Sequence, residues 1–182
     1  MAAAADLIGT RGTDDLSMTE LARAAGLSKP ALYRYFPNKQ AIYRQLALDM
    51  FAENQAMVAK GLAREDADRA RVLREAIRGY CAMQHARPYR THLRAAISAN
   101  PELADLDIAD SRTNAATVSR SLADTDVGPQ DRDDTLFLMM SLVDTLAHVT
   151  RRVPQDEAGR LMDRFGTVFA EALGLPRGAQ GD

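Results

Sequence analysis

The chain has 182 residues, with 23 Lys and Arg against 25 Asp and Glu, and therefore a formal net charge of −2 at pH 7. A hydrophobic content of 46% is ordinary for a globular protein with a core and excludes a disordered chain. No run approaches the ~20 apolar residues that cross a bilayer, and the first residues lack the basic start of a signal peptide. The single cysteine excludes an internal disulfide. Together these features predict a cytoplasmic protein that has no membrane partner.

The composition also favours helices. The chain holds 32 Ala against 11 Gly and 7 Pro, and it has no Trp. Alanine is the strongest helix former, and no segment shows the sustained alternation of polar and apolar residues that is typical of strands. We therefore expect an all-α protein with about nine helices, arranged as an N-terminal three-helix domain followed by a C-terminal helical bundle.

The first two helices are marked by clear start and stop signals. The first helix runs from about residue 2 to residue 10 and ends near Gly12. Ser17 and Glu20 have the spacing of a capping box, in which the Ser17 side chain accepts from the helix backbone and Glu20 reaches back. A second helix therefore begins after Ser17. Its apolar residues recur at i, i+3, i+4 and i+7, which gives it one apolar face, and Gly26 ends it.

A short third helix follows and leads into longer ones. Ser28 can cap it, and Pro30 falls in its first turn, where a missing N–H is harmless. The Phe-Pro pair at residues 36–37 stops this helix, and Asn38 caps a fourth helix that reaches about Gly61. Five more helices are predicted at about residues 66–86, 88–99, 102–122, 130–152 and 155–173.

The charge is unevenly distributed along the chain. Residues 1–46 carry six basic and four acidic side chains, a net charge of +2, so the remainder carries 17 basic and 21 acidic ones, a net charge of −4. Between residues 21 and 48 there are five basic residues, no acid and three of the five tyrosines, Tyr33, Tyr35 and Tyr43. Such a patch is typical of proteins that bind phosphate backbones. The alternative is an ordinary solvated face, which the charge asymmetry taken alone favours.

The second and third helices form a recognisable pair. Two helices joined by a short turn that contains Gly26 make the helix-turn-helix arrangement, whose second helix enters the major groove of DNA. At about 100° per residue, Leu32 and Phe36 face the core. Pro30 and Arg34 lie on the opposite, outward side of this helix.

The outward residues of the third helix suit contacts with DNA. Arg34 is the one long side chain there that can read a base edge, and the apolar Pro30 and Ala31 suit a thymine methyl group. Tyr33 flanks this side, whereas Tyr35 is expected nearer the core. With phosphate contacts included, the candidate DNA-binding residues are Ser17, Thr19, Ser28, Lys29, Pro30, Ala31, Tyr33, Arg34 and Lys39.

Residues 16–39 read LSMTELARAAGLSKPALYRYFPNK. This run resembles the DNA-binding motif of the TetR family of bacterial transcription regulators in five features. These are its Ser/Thr-rich start, its Leu-Ala pair, its Ala-Gly-Leu-Ser turn, its Leu-Tyr-x-x-Phe segment and the Lys three residues after the Phe. The resemblance covers about residues 1–46 and implies a DNA-binding domain there, with a ligand-binding and dimerisation domain over residues 47–182.

The resemblance also implies a function. Members of the family are homodimers that bind a palindromic DNA operator, usually as repressors, and a small-molecule effector releases them. In the family, the positions that match Tyr33 and Lys39 contact phosphates. The positions that match Lys29, Pro30, Ala31 and Arg34 lie in the groove.

Two helices of the C-terminal part are candidates for a dimer interface. Residues 136–143 are apolar almost all round, as in a helix covered on both sides, and the last predicted helix carries an apolar stripe. These helices can pair with their symmetry mates across a two-fold axis or form the core of one chain, and periodicity alone does not distinguish the two. The predicted interface residues are Leu138, Leu142, Leu161, Met162, Phe165, Val168 and Phe169.

The predicted helices between residues 66 and 122 combine apolar residues with few polar anchors, which is the composition of a ligand pocket. The candidate lining residues there are Tyr80, Met83, Gln84, Tyr89, Leu93, Ile97, Ile108 and Val118. Asp144 and His148 are further candidates, since their i, i+4 spacing puts them on one helix face. As a buried pair they either anchor a polar group of the ligand or satisfy each other, and the second is favoured.

Other chemistry finds little support in the sequence. The three histidines lack HxxxH or HExxH spacing, so no metal is predicted, and no motif calls for a cofactor. Cys81 falls at helical spacing with core positions and is expected to be buried rather than redox-active. The alternatives to a regulator are a helical ligand-binding or adaptor protein without DNA binding, and a small α-helical enzyme, which no motif nominates.

Overall fold

The structure is a computed structural model that describes residues 1–64 and 68–175. These residues form nine α-helices and no strand, as predicted. The helices are α1 (Ala2–Arg11), α2 (Met18–Ala24), α3 (Lys29–Tyr35), α4 (Lys39–Leu62), α5 (Arg69–His85), α6 (Pro88–Ala99), α7 (Pro101–Ser121), α8 (Pro129–Thr150) and α9 (Gln155–Ala172). None of the helices in this part of the chain is both long enough and apolar enough to cross a membrane.

Side-chain caps begin the short helices where the sequence predicts them. The Ser17 hydroxyl accepts a hydrogen bond from the Glu20 N–H at 3.4 Å, and the Ser28 hydroxyl accepts one from the Ala31 N–H at 3.3 Å. The second half of the predicted capping box is wrong. The Glu20 carboxylate does not reach back but accepts from the Arg11 guanidinium at 3.0 Å, because α1 and α2 pack against each other.

The chain divides into two compact units, each with its own core. Among the described residues, the first unit comprises residues 1–53 and 86–107, and the second comprises residues 54–64, 68–85 and 108–175. This division differs from the predicted domain boundary after residue 46, since α4 continues without a break past that point and α6 packs against α1. The first unit therefore includes a helix that the sequence had assigned to the C-terminal domain.

Apolar packing and an ion pair made by the buried Arg90 hold α6 in the first unit. Leu93 and Ile97 are 0% and 1% exposed and share one hydrophobic core with Ile8 of α1. The Arg90 side chain is fully buried, and its guanidinium donates to the Glu53 carboxylate of α4. Such a partner is needed because a buried charge without one costs several kcal/mol of desolvation free energy.

In the second unit, α5, α8 and α9 pack against one another. Ile77, Leu136 and Leu173 lie in its core. Gly166 lets α9 approach α5 closely, since a Cβ at this position would lie 2.8 Å from Cγ of Arg74 and 3.4 Å from Cδ1 of Ile77. The absence of a side chain at Gly166 is thus a packing requirement.

Gly166→Ala is expected to lower the free energy of unfolding by about 1–3 kcal/mol, because the added methyl group overfills a close contact. Gly79→Ala, in the exposed part of α5, is the matched control. Its added Cβ meets open space, and alanine favours a helix over glycine by ~1 kcal/mol. Urea unfolding followed by far-UV circular dichroism measures both variants, and equal stabilisation of the two would contradict the close packing at Gly166.

Candidate functional site

α2 and α3 form a helix-turn-helix whose turn depends on Gly26. This glycine has a φ of +67°, a left-handed conformation that residues with a Cβ rarely adopt. A hydrogen bond from the Leu27 N–H to the Ala22 carbonyl, at 2.9 Å, closes the turn, as is typical of helix ends that carry a glycine. Only four residues separate the two helices, so the turn fixes the direction in which α3 leaves α2.

α3 buries one side and exposes the other. Leu32 is 3% exposed, and Phe36 packs partly buried against the core of the first unit. Lys29, Pro30 and Arg34 lie on the exposed side. The inward and outward sides of α3 therefore agree with the spacing of its residues.

Tyr35 is not near the core, and that expectation is wrong. It is 62% exposed, compared with 40% for Tyr33. α3 ends at Tyr35, and the backbone becomes extended at Phe36, with φ −132° and ψ 101°. Because no further helical turn follows, the Tyr35 ring stays largely exposed to solvent, and the spacing of residues alone does not reveal this.

The positive charge of α3 is not compensated by carboxylates. Arg11, elsewhere in the same unit, forms an ion pair with Glu20 at 3.0 Å. Lys29 and Arg34, by contrast, have no carboxylate partner among residues 1–64 and 68–175, and each lies over a tyrosine ring. The cations of α3 are thus available to an external anion.

Two hydrogen bonds fix the start of α4 against the loop that follows α1. Nζ of Lys39 donates to the Asp14 carbonyl at 3.3 Å, and the Tyr43 hydroxyl donates to the Thr13 carbonyl at 2.6 Å. Burial, and then the charge of Asp14, raise the pKa of Tyr43, so its hydroxyl keeps the proton that it donates. Tyr43 is a core residue and not part of an exposed tyrosine-rich patch. Lys39 binds a neutral carbonyl, so its own charge is not neutralised.

All nine predicted DNA contacts lie in the first unit, on α2, on α3, at their caps and at the start of α4. Thr19 is exposed in the first turn of α2, and Ala31 is half-buried on α3. Ser17 and Ser28 use their hydroxyl oxygens as caps, which leaves each hydroxyl proton free to be donated. The exposure of Tyr35 could not be predicted from the sequence pattern, because it depends on where α3 ends.

The predicted pocket residues do not belong to one unit. Tyr89, Leu93 and Ile97 belong to the first unit, where Leu93 and Ile97 fill the core. Ile108 belongs to the second unit and is 48% exposed. The remaining candidates, also in the second unit, are Tyr80, Met83, Gln84, Val118, Asp144 and His148. The apolar spacing of α6 marked a core-facing side, which has the same pattern as a pocket wall.

Three of these residues form a hydrogen-bonded cluster in the second unit. The Tyr80 hydroxyl donates to Oδ1 of Asp144 at 2.6 Å, and Nε2 of Gln84 donates to the Tyr80 oxygen at 2.6 Å. Tyr80 and Gln84 are both buried, and Asp144 is half-buried. The cluster places a carboxylate, a phenol and an amide together, and Tyr80 is also part of the hydrophobic core of the second unit.

The predicted buried pair of Asp144 and His148 is wrong. His148 is exposed, and the guanidinium of Arg152, four residues later, donates to Nδ1 of its ring at 2.9 Å. Ala147 of α8 faces the core, and the next residue along a helix points about 100° away. His148 therefore turns towards solvent.

The predicted interface residues of α8 and α9 leave apolar surface uncovered. Leu138, Leu142 and Val168 are 54%, 46% and 44% exposed. Phe165 and Phe169 are half-buried, and their ring centres lie 4.7 Å apart. Leu161 and Met162 are half-buried as well. These side chains are only partly covered within one chain.

Cys81 is a core residue, as expected, and is 1% exposed. Burial raises the pKa of its thiol to about 11, so the nucleophilic thiolate is scarce near neutral pH. In the described ranges, no three His, Cys, Asp or Glu side chains are grouped so that they can hold a metal ion.

Two family models match the chain. The model for bacterial regulatory proteins of the tetR family matches residues 1–46, and the model for the tetracyclin repressor-like C-terminal domain matches residues 67–175. The regular elements of residues 1–64 and 68–175 are all helices, and α2 and α3 form a helix-turn-helix near the N-terminus, so the fold is of the helix-turn-helix class. Since the second model alone spans more than half of the chain, the protein belongs to the TetR family of bacterial regulatory proteins.

Individual relatives agree with this assignment. The HTH-type transcriptional regulator EthR of Mycobacterium tuberculosis is 38% identical over 68 residues, which are 37% of this chain and 31% of EthR. The class A tetracycline repressor from transposon 1721 in Escherichia coli is 46% identical over 52 residues, which are 29% of this chain and 24% of that protein. Each match thus spans less than a third of the relative.

A solved structure shows the same fold over nearly the whole chain. The crystal structure of a transcriptional regulator from Rhodococcus sp. RHA1 superposes with a TM-score of 0.74 at 21% sequence identity. The superposition covers 93% of this chain and 93% of that one.

Proposed function

We propose that the protein is a sequence-specific DNA-binding transcription regulator that represses from a palindromic operator and is released by a small-molecule effector. The observation that carries the proposal is α3. Its exposed side presents Lys29, Pro30 and Arg34, and its cations have no carboxylate partner in the described part of the chain. The major groove is wide enough to admit an α-helix, and uncompensated cations are attracted to DNA phosphates.

The exposed residues divide into two kinds of contact under this proposal. Arg34 reads a base edge, since its planar donors match O6 and N7 of guanine, and Pro30 and Ala31 contact a thymine methyl group. Tyr33 and Lys39 bind phosphates, which positions the protein but does not specify sequence. The remaining backbone contacts come from Ser17, Thr19, Ser28 and Lys29.

The effector, in this proposal, binds in the second unit. Tyr80, Gln84 and Asp144 supply a few polar anchors, and Met83 and Val118 are among the apolar side chains packed in the same unit. This mixture of polar and apolar groups is common in ligand sites. Repression is carried over from the name of the tetracycline repressor. In this proposal the protein acts by binding alone, without catalysis or a cofactor.

We further infer a homodimer that pairs through α8 and α9. Leu138, Leu142 and Val168 supply the exposed apolar surface for this pairing, since contiguous apolar patches favour a partner. In a two-fold symmetric dimer, each copy contributes the same surface to the interface. Two copies of α3 would then meet half-sites about 34–36 Å apart, or a multiple of that distance.

The function is tested by incubating the purified protein with a library of genomic fragments at low and moderate salt and sequencing what is retained. A recovered palindrome, with affinity that falls steeply as salt rises, supports the regulator. Retention of no sequence under either condition would contradict it. The recovered operator then serves to screen small molecules for release of the DNA.

Lys39→Ala is expected to weaken binding to all DNA sequences alike and to reduce the slope of log K against log salt by about 1, because one phosphate contact is lost. Lys60→Ala is the matched control, since Lys60 is an exposed lysine on the part of α4 that belongs to the second unit. Fluorescence anisotropy at several salt concentrations measures both slopes. Identical slopes for the two variants would rule out a phosphate contact by Lys39.

Arg34→Ala is expected to relax the preference at one base position in each half-site by about 1–3 kcal/mol, because a bidentate base contact is lost. Arg23→Ala removes the same charge from an exposed position on α2 and should leave the base preference unchanged. Selection of binding sites from a random library measures both. An Arg34→Ala variant that selects the wild-type sequence with the wild-type preference would contradict base reading.

Leu142→Arg is expected to convert the dimer into a monomer, because it places a charge in the middle of the paired surface. Ile108→Arg is the matched control, since Ile108 is 48% exposed and Leu142 is 46% exposed, but Ile108 lies on α7. Size-exclusion chromatography with light scattering measures the mass of each. A Leu142→Arg variant that keeps the mass of a dimer would show that α8 does not form the interface.

A further inference from the structure

The exposed ring of Tyr35 lies against the side chain that the proposed function assigns to base reading. Cζ of Arg34 is 5.4 Å from the centre of the Tyr35 ring. The Arg34 guanidinium has no hydrogen-bond or ion-pair partner within the described residues, so its contact with the Tyr35 ring is the one that restrains it there. Tyr35 itself is 62% exposed and contributes little to the core.

We propose that Tyr35 is a positioning residue for Arg34 and thereby a determinant of DNA sequence specificity. The aromatic ring, and not the hydroxyl, performs this role. The inference rests on the proposed function, since it assumes that Arg34 reads a base. It gives a role in DNA recognition to Tyr35, a residue that the spacing along α3 had placed nearer the core.

The physical basis is the cost of ordering an exposed arginine. A free arginine side chain samples many rotamers, and fixing one of them on a base opposes binding. A cation–π contact biases these rotamers before DNA arrives. The donors of a guanidinium lie in its plane, and the contact with the ring forms no hydrogen bond. The donors therefore remain available to O6 and N7 of a guanine.

The neighbouring pair of Lys29 and Tyr33 has similar geometry but a different consequence. Nζ of Lys29 is 5.9 Å from the centre of the Tyr33 ring. An ammonium group has no planar set of donors, so this contact does not set the direction of a hydrogen bond. Tyr33 is assigned to a phosphate, and its loss should weaken binding to all sequences alike. Tyr33→Ala is therefore the internal control.

The test compares wild-type protein with Tyr35→Ala, Tyr35→Phe, Tyr33→Ala and Arg34→Ala, and with the double variant Arg34→Ala/Tyr35→Ala. The affinity of each variant is measured for the selected operator and for a second operator. The second operator is changed at the base whose preference Arg34→Ala relaxes. Tyr35→Ala should reduce the preference for the correct base by about 2- to 5-fold, the range of an exposed cation–π contact. Tyr35→Phe should keep the preference, and the double variant should match Arg34→Ala alone.

A second measurement does not need DNA. In the free protein, Tyr35→Ala should remove the ring-current shift of the Arg34 side-chain protons in NMR spectra, whereas Tyr35→Phe should retain it. Thermal unfolding should be unchanged in both variants because the ring is largely exposed. Absence of this shift in the wild-type protein would overturn the proposal directly.

Two DNA-binding results would also overturn it. If Tyr35→Ala kept the wild-type base preference, the ring would have no positioning role. Equal loss of affinity for both DNA sequences in Tyr35→Phe, with a shallower salt slope, would instead identify a phosphate contact by the hydroxyl. Failure of the wild-type protein to select any operator is a different result, since it removes the proposed function and this inference together.

Discussion

The burial of one side of α3 is the contact on which the proposed site depends. A helix of seven residues is not stable alone, so its packing on the first unit must hold it in place. Leu32 is nearly fully buried, and Phe36 packs beside it. Burial of one such side chain contributes about 1.5–3 kcal/mol. With these two side chains inward, the helical repeat turns Pro30 and Arg34 outward.

The electrostatics of the first unit follow from where its carboxylates lie. Four arginines of the first unit outside α3 are paired with glutamates, namely Arg11 with Glu20, Arg44 with Glu102, and both Arg87 and Arg90 with Glu53. The cations of α3 have only tyrosine rings beside them among the described residues. A chain with a net charge of −2 can therefore present a locally positive helix. An attraction to phosphates is decided by this local charge and not by the net charge of the chain.

The two units use their polar groups in different ways. In the first unit, the buried Arg90 ties α6 to α4 through Glu53, which is a structural role. In the second unit, the carboxylate of Asp144 accepts from a tyrosine hydroxyl and an amide. The ion pair that joins α6 to α4 in the first unit is thus separate from the polar groups that we propose for the effector.

The sequence by itself determined the nine helices of the described residues, the caps formed by Ser17 and Ser28, and the inward position of Leu32 opposite the outward Pro30 and Arg34. These features depend on local physics, because glycine, proline and capping residues act within a few positions of the chain. The resemblance to the TetR family also came from a short segment, residues 16–39.

Only the tertiary structure decided which groups meet across the fold. It paired Glu20 with Arg11, buried Tyr43 against the Thr13 carbonyl, and turned His148 to solvent. It also placed α6 in the first unit and left the Tyr35 ring largely exposed to solvent. Each of these outcomes depends on what packs beside a residue or where its helix ends, and the spacing of residues along one helix does not contain that information.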